Sequence, residues 1–355
     1  MEDLGLNKSF WKGRSVFLTG HTGFKGGWLA LWLASLGARV HGYSLAPPTS
    51  PALFSELHLD ACLESSTIAD IRDLQILKHE LGKANPSVIF HLAAQPIVRK
   101  SYQSPADTFS TNVLGSVNLF EAALQSRSVK AVVNVTSDKC YQNLEGNSFF
   151  VEEDPLGGDD PYSASKACSE IVTASYWHSF FRGSGIGLAT GRAGNVIGGG
   201  DWAQDRLIPD FLRALDSQQP LRVRSPNAIR PWQHVLEPLA GYLLIAEKAC
   251  LDAERSSGAW NFGPRADDTK PVSWIVDFLT KATPNAGWEV ETDEQPNEAN
   301  VLKLDSSKAR SMLNWRSRWS VEDALTKALE WHQAWKSGTP AQDISLRQIE
   351  EYMSR

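Results

Sequence analysis

The fold class this sequence predicts is a doubly wound, mostly parallel α/β sheet with a smaller, mixed C-terminal domain. Three observations predict it. Short apolar runs alternate with helical patterns through about the first 190 residues. The first of those runs ends in a glycine-rich turn that opens a helix, Thr19-Gly20-His21-Thr22-Gly23-Phe24-Lys25-Gly26. Beyond about residue 191 the alternation weakens, and loop signals such as Gly198-Gly199-Gly200-Asp201-Trp202 and Ser225-Pro226-Asn227 take over.

Each element has its own local cause. Ser15-Val16-Phe17-Leu18-Thr19-Gly20 is an apolar run closed by glycine, hence a buried strand. Residues 27–36, rich in Leu and Trp, keep a helical pattern that stops at Gly37. Further strands are expected at Ala38-Arg39-Val40-His41-Gly42-Tyr43, Ser87-Val88-Ile89-Phe90-His91-Leu92, Lys130-Ala131-Val132-Val133-Asn134-Val135-Thr136 and Gly185-Ile186-Gly187-Leu188-Ala189-Thr190. The expected division is a dinucleotide-binding domain of residues 1–190 with a return segment at about 232–262, and a second domain of residues 191–231 and 263–355. Residues 305–335 carry two helical patterns, the second opening with Ser320-Val321-Glu322-Asp323, a capping box with Asp in place of Glu.

Bulk properties narrow the function classes. With 355 residues, 42% of them hydrophobic, the chain can bury a large core. A net charge of −6 argues against a nucleic-acid partner, which needs a clustered positive excess. The four cysteines, Cys62, Cys140, Cys168 and Cys250, have no short metal-type spacing and are too sparse for a disulfide framework, so a cytoplasmic protein is expected. No cluster shows metal-ligand spacing, and no metal is expected. The N-terminus, Met-Glu-Asp-Leu-Gly-Leu-Asn-Lys, lacks a basic region leading into an apolar run. The longest apolar stretch, around residues 28–36, is too short to span a bilayer, so neither export nor a membrane partner is expected.

Tyr162 and Lys166, in Asp-Asp-Pro-Tyr-Ser-Ala-Ser-Lys, lie about 140 residues beyond the glycine turn. On a helix, i and i+4 side chains share a face, so the Lys166 ammonium can favour the ionised Tyr162 phenol and lower its pKa from about 10. The phenol would then serve as a base near neutral pH. By itself Tyr-x-x-x-Lys also describes an ordinary helix surface; the upstream turn is what makes the pair chemical. That turn, Gly20-x-x-Gly23-x-x-Gly26, lets backbone approach a pyrophosphate at a helix N-terminus, although glycines kept only for turning and packing would read the same. Gly20, His21, Gly23, Phe24 and Gly26 are therefore candidate dinucleotide contacts, and Lys25 reads equally as a phosphate contact or a solvated surface lysine.

The acidic residue expected after the second strand to hold the adenosine ribose is absent, and Ser44 stands there. Without that carboxylate this position does not decide between NAD and NADP. Asp70 and Ile71 are candidates to flank the adenine, with a cap as the alternative reading of Asp70. Leu92, Ala93 and Ala94 follow a strand with residues small enough to admit a cofactor to the backbone.

These residues, with Asn112, Thr136-Ser137-Asp138-Lys139 and Arg192-x-x-Asn195-Val196, resemble the extended short-chain dehydrogenase/reductases, and within them the sugar-nucleotide 4,6-dehydratases, from about residue 11 to residue 335. The strings Thr19-Gly20-His21-Thr22-Gly23-Phe24-Lys25-Gly26, Thr136-Ser137-Asp138-Lys139-Cys140-Tyr141, Asn195-Val196-Ile197-Gly198-Gly199-Gly200-Asp201-Trp202 and Arg230-Pro231-Trp232-Gln233-His234-Val235 resemble the branch that acts on CDP-glucose. The resemblance implies a Rossmann-type fold, tightly held NAD, Asn112 as a cofactor contact, a homodimer built on helices around residues 108–124 and 162–181, and deoxysugar synthesis for surface polysaccharide. It also implies the reaction. C4 is oxidised, water leaves across C5 and C6, and the stored hydride returns to C6.

In that scheme Tyr162 is the base at the C4 oxygen, Ser137 bonds the same oxygen, and Lys166 tunes Tyr162 and binds the nicotinamide ribose. Asp138 would protonate the departing hydroxyl. The common pattern has Glu as base at C5 where this chain has Lys139, which would remove the C5 proton directly or through a water, as a lysine does only when neutral. A Ser-Asp-Lys turn that merely caps the strand is the alternative. Asn195 would bind the sugar side of the pyrophosphate and Arg206 and Arg230 the nucleotide phosphates, unless the arginines form surface ion pairs. A sugar-nucleotide 4-epimerase shares Tyr162-Lys166 and NAD but has no use for Asp138-Lys139, and a dinucleotide sensor has no use for either pair.

Overall fold

The computed structural model describes residues 5–143, 149–284, 286–291 and 301–355. The first four residues of the N-terminal stretch read above lie outside them. One sheet is built of β1 (Ser15–Thr19), β2 (Arg39–Ser44), β3 (Ser65–Ile68), β4 (Val88–His91), β5 (Ala131–Val135), β6 (Gly187–Ala193) and β7 (Gly258–Phe262). Its spatial order is β7-β6-β5-β4-β1-β2-β3, and every neighbouring pair is parallel.

The sheet is buried on both faces, which is why its inner strands are apolar runs. Val16 and Leu18 of β1 enter one core with Trp28 and Trp32 of α1 (Phe24–Ser35), while Phe17 between them enters the other with Leu77 and Leu81 of α2 (Leu74–Ala84). That alternation is the two-residue period of a strand. The second core also takes Leu119 and Phe120 of α3 (Gly115–Leu124), and α4 (Pro161–Tyr176) packs beside it. The first core also takes Leu239 and Leu243 of α6 (Leu236–Leu251), so the chain after residue 231 returns to this sheet.

A separate cluster joins Phe211 and Leu212 of α5 (Leu207–Asp216), Ile275 and Leu279 of α7 (Val272–Ala282), and Ala324 and Leu325 of α8 (Val321–Lys336). Three two-stranded sheets accompany it, one of them antiparallel, Ile229–Pro231 with Thr269–Pro271. The capping box at α8 is present: Ser320 accepts from the Asp323 N–H at 3.1 Å and the Asp323 carboxylate accepts from the Ser320 N–H at 3.0 Å. Among the elements without a sequence reading, two show why. β3, Ser-Ser-Thr-Ile at the sheet edge, is largely exposed and has no apolar alternation to betray it. Helix α9 (Ala341–Ser354) packs Ile349 and Tyr352 against the first core.

Candidate active site

The parallel register sets Thr19 beside His91, so the chain leaves β1 and β4 side by side, at the point where strand order reverses. Gly20 leaves β1 with φ of +79°, and a Cβ there would lie 2.7 Å from the Ala93 nitrogen. A Cβ on Gly26 would lie 2.0 Å from the Gly20 carbonyl oxygen, so only glycine lets α1 start this close to the turn. Gly23 caps α1 without a side-chain hydrogen bond, which leaves the first-turn N–H groups for an anion. Thr19 fixes the neighbouring loop: its hydroxyl accepts from the Leu92 and Ala93 N–H groups at 3.1 Å and pairs with His91 at 2.7 Å. Leu92, Ala93 and Ala94 thereby line the crevice, each only partly covered.

Several expected cofactor residues turn out to shape the crevice from within. His21 is fully buried against Gly42, with its Nε2 2.8 Å from the Ser66 hydroxyl, and burial lowers its pKa to about 4. What it presents to the crevice is main chain. The Ser44 hydroxyl pairs with Thr22 at 2.8 Å. Asp70 is not a helix cap, a place taken by Asp73; its carboxylate holds Arg72 at 2.6 Å, and that hydrogen-bonded pairing keeps it below the usual carboxylate range. Ile71 is buried against Gly115. Asn112, in a π turn at Ser110–Leu114, accepts from the Gln95 N–H at 2.8 Å and donates to the Gln95 carbonyl and the Ser165 hydroxyl. Both ends of its amide are thus engaged in pinning the loop after β4 to α4.

At the C-terminal end of β5, Ser137 caps a short turn, accepting from the Lys139 N–H at 3.1 Å and donating to Asp138 at 3.0 Å. The string thus makes a capped turn, and Ser137 also lies within hydrogen-bond reach of Tyr162. Asp138 is 2% exposed, and burial pushes its pKa up against the opposing charges of Lys139 and Arg230. Its Oδ2 has no hydrogen-bond partner among the described residues and looks toward Gly194, where a Cβ would lie 3.1 Å away. Lys139, next in the chain, is partly exposed.

Tyr162 departs from the sequence expectation. Burial pushes its phenol up to about 12, the Asp138 charge adds to the rise, and a hydrogen bond with Ser137 and the charge of Arg206 oppose it. Lys166 is not the group that counters it, because its ammonium donates to the Val135 carbonyl at 3.1 Å, and burial lowers its own pKa to about 8 against the charge of Glu170. The expectation counted the i, i+4 charge and omitted the desolvation of the phenol, which is larger here.

Arg206 pairs with Asp201 at 2.9 Å and still acts by charge on Tyr162, while Arg230, 6% exposed on the strand Ile229–Pro231, acts on Asp138. Asn195 follows β6 at a partly exposed position. Two further residues bear on the site, Lys25, read from the sequence as a phosphate contact or a solvated lysine, and Tyr242, which had no sequence reading. Lys25 is partly exposed, and its ammonium lies 5.7 Å from the centre of the Tyr242 ring, within reach of the charges of Lys166, Arg206 and Asp138. Tyr242, on α6, packs under Gly191 and lies within reach of Tyr162 and Asp138, both far away in sequence and so without a local signal.

The GDP-mannose 4,6 dehydratase family model matches residues 17–328. A CDP-glucose 4,6-dehydratase of Salmonella typhimurium is 49% identical over 355 residues, covering 98% of this chain and 99% of that one. A dTDP-glucose 4,6-dehydratase of Xanthomonas campestris pv. campestris is 23% identical over 357 residues, covering 94% and 97%. The solved structure of MoeE5 in complex with UDP-glucose and NAD matches with a TM-score of 0.76 over 91% of this chain and 99% of that one, at 23% identity, a likeness of fold. A family match across the sheet, the crevice and the C-terminal cluster, with a full-length relative 49% identical, places the chain in the GDP-mannose 4,6 dehydratase family.

Proposed function

We propose that this protein is an NAD-dependent lyase that converts CDP-glucose to CDP-4-dehydro-6-deoxyglucose. The observation that carries the reading is the 49% identity, over 98% of the chain, to a relative with that activity. The crevice suits the cofactor, since Gly20 and Gly26, where a Cβ would meet neighbouring main chain, keep the turn tight and the first-turn N–H groups of α1 available to a pyrophosphate. Gly20, His21, Gly23, Phe24 and Gly26 would hold that pyrophosphate through main chain, Ser44, Asp70 and Ile71 would flank the adenosine end, Leu92, Ala93, Ala94 and Asn112 would form the middle, and Tyr162 and Lys166 would take the nicotinamide ribose. The chemistry NAD contributes is reversible storage of a hydride.

The remaining work belongs to side chains. Tyr162 takes the proton of the C4 hydroxyl while Ser137 bonds the same oxygen. Once C4 is a ketone, the C5 proton is acidic, because the carbonyl delocalises the charge left behind. Asp138, whose neutral form burial favours, gives its proton to the departing C6 hydroxyl. Lys139, beside Asp138 at the end of β5 and partly exposed, would accept the C5 proton, directly or through a water. Asn195, Arg206 and Arg230 would bind the sugar nucleotide.

The test is a panel of CDP-, dTDP-, UDP- and GDP-glucose, followed by the alkali-induced absorbance of a 4-keto-6-deoxy product. CDP-glucose is expected to react at least about tenfold faster than any other, a margin of about 1.4 kcal/mol. A 4-epimerase would instead give a C4-inverted sugar nucleotide and no such absorbance, and a sensor would leave every sugar unchanged.

The same reading assigns residues 1–190 with the return at about 232–262 to the cofactor and residues 191–231 and 263–355 to the substrate, a division supported by the separate core of α5, α7 and part of α8, although Trp315, Trp319 and α9 pack on the sheet's core. It supplies deoxysugars for surface polysaccharide such as O-antigen, in the cytoplasm, a location supported by four unbridged cysteines and by the lack, among the described residues, of a helix long and apolar enough to cross a membrane. A homodimer is supported by Phe109, Leu114, Ile171 and Phe180, large apolar side chains 37–56% exposed on the helices between residues 105 and 181. Light scattering is expected to return twice the 39.1 kDa chain mass. A single-chain mass at every concentration would dismiss the dimer.

A further inference from the structure

The turn that carries Ser137, Asp138 and Lys139 is tethered at both ends to one buried ion pair. At its front, the Thr136 hydroxyl donates to Glu170 and the Thr136 N–H donates to the Gly191 carbonyl at 3.1 Å. At its back, the Tyr141 hydroxyl accepts from Arg192 at 2.8 Å and donates to Asn261 of β7 at 2.7 Å. Glu170 and Arg192 pair with each other, which closes the loop. The Tyr141 ring is 1% exposed, with the Arg192 guanidinium 4.8 Å from its centre and Phe150 stacked on it at 4.7 Å. Around Tyr141 the main chain bonds only to a neighbouring loop, Cys140 to Gly157 at 2.9 Å and Gln142 to Pro155 at 2.8 Å. What ties the back of the turn to the sheet is therefore the Tyr141 side chain.

Glu170 lies on α4 one turn beyond Lys166, so the same ion pair joins this turn to the helix that bears Tyr162. Groups with separate duties thus share one anchor. We propose that Tyr141, acting through the Glu170–Arg192 pair, is a positioning residue for the elimination stage, setting Asp138 and Lys139 against C6 and C5 of the sugar while Tyr162 attends to C4. The inference rests on the reading that this site dehydrates a nucleotide-linked glucose. It assigns Tyr141 no proton transfer and no contact with substrate or cofactor.

Elimination needs two groups at once. The C5 proton passes to the base, and the C6 hydroxyl leaves as water with the proton of the acid. Acid and base are adjacent residues of this turn, so a tilt of the turn displaces both, and a misplacement of about 1 Å costs on the order of 10²-fold. Oxidation at C4 depends instead on Tyr162, placed by α4, and on Ser137, which the two Thr136 bonds still hold when Tyr141 lets go. Tyr141 therefore bears on one stage far more than on the other.

Rapid mixing of the full chain, loaded with NAD, with CDP-glucose reads the stages apart: absorbance of reduced nicotinamide follows oxidation, and 4-keto-6-deoxy product follows elimination and hydride return. In Tyr141→Phe, oxidation is expected within about threefold of wild type and elimination about 10- to 10²-fold slower, so reduced nicotinamide and CDP-4-ketoglucose accumulate. Arg192→Lys keeps a charge for Glu170 and removes the separate guanidinium arm that reaches Tyr141, and should show the same accumulation. Thr190→Val loses a 2.8 Å bond to Glu170 that comes from β6 and not from the turn, and should keep the wild-type balance of stages. Hydrogen exchange in residues 137–140, measured without any nucleotide, should speed up in the first two variants and not in the third. A Tyr141→Phe protein whose stages slow equally or not at all, or whose turn exchanges as in wild type, would overturn the inference, as would accumulation in Thr190→Val. Wild-type protein that made no 4-keto-6-deoxy product would sink the dehydratase reading itself. A melting curve of each variant separates these outcomes from misfolding.

Discussion

A Tyr162→Phe protein is expected to form product from CDP-glucose about 10²- to 10⁴-fold more slowly than wild type while still binding NAD. Phenylalanine keeps the ring in its buried place, where Tyr162 is only 8% exposed, so the loss reports the hydroxyl and not the packing. The pH dependence follows from the environment of that hydroxyl. Burial pushes the phenol up to about 12, and Ser137 is the strongest influence pulling it down. Removing Ser137 must raise the phenol further, so Ser137→Ala should shift the acid limb of the rate profile to higher pH as well as lowering the rate. A Tyr162→Phe rate within tenfold of wild type would remove the phenol from the reaction.

The second large effect is on stability. Arg192 and Glu170 form a 2.9 Å ion pair, 4% and 3% exposed, beneath the catalytic strand ends. Thr136 and Thr190 both donate to Glu170, and Arg192 donates to the Tyr141 hydroxyl at 2.8 Å. Arg192→Met leaves the Glu170 charge buried without its partner and is expected to cost about 3–5 kcal/mol. Replacing both residues by apolar ones of similar volume should restore most of that, because the paired charges are costly to bury in the first place. Denaturant titrations read both, as a midpoint shift at unchanged slope. A single variant within about 1 kcal/mol of wild type would show that the site is hydrated and not the dry pair described.

What the sequence discloses here divides along physical lines. β1, β4, β5 and β6 are legible because a strand covered on both faces is mostly apolar, its few polar side chains, such as Thr190 and Arg192 in β6, being satisfied by partners. β3 is not, because an edge strand of Ser65, Ser66, Thr67 and Ile68 has no such obligation. The glycine turn is legible as a steric requirement: Gly20 and Gly26 are where no Cβ fits. The sense of the Tyr162 shift was not, since helical spacing places a charge nearby but says nothing of how much water the fold removes. Lys25 shows the same limit. Its position in the turn is plain in the chain, whereas the direction of its side chain depends on Tyr242 and Gly191, brought there by α6 and β6.

The π turn at Ser110–Leu114 carries a consequence for insertions and deletions. Each residue of an α-helix advances the azimuth by about 100°, and a π turn accommodates one residue more than the regular winding. Everything beyond it is therefore out of phase with what precedes it. This offset lets Asn112 aim at Gln95 and Ser165 while Leu114, two residues on, points outward and Ser116 returns inward to His91. Deleting one residue from the turn would restore regular winding and rotate one half of the helix against the other, so the loop beside the glycine turn and the outward apolar stripe could no longer both be served.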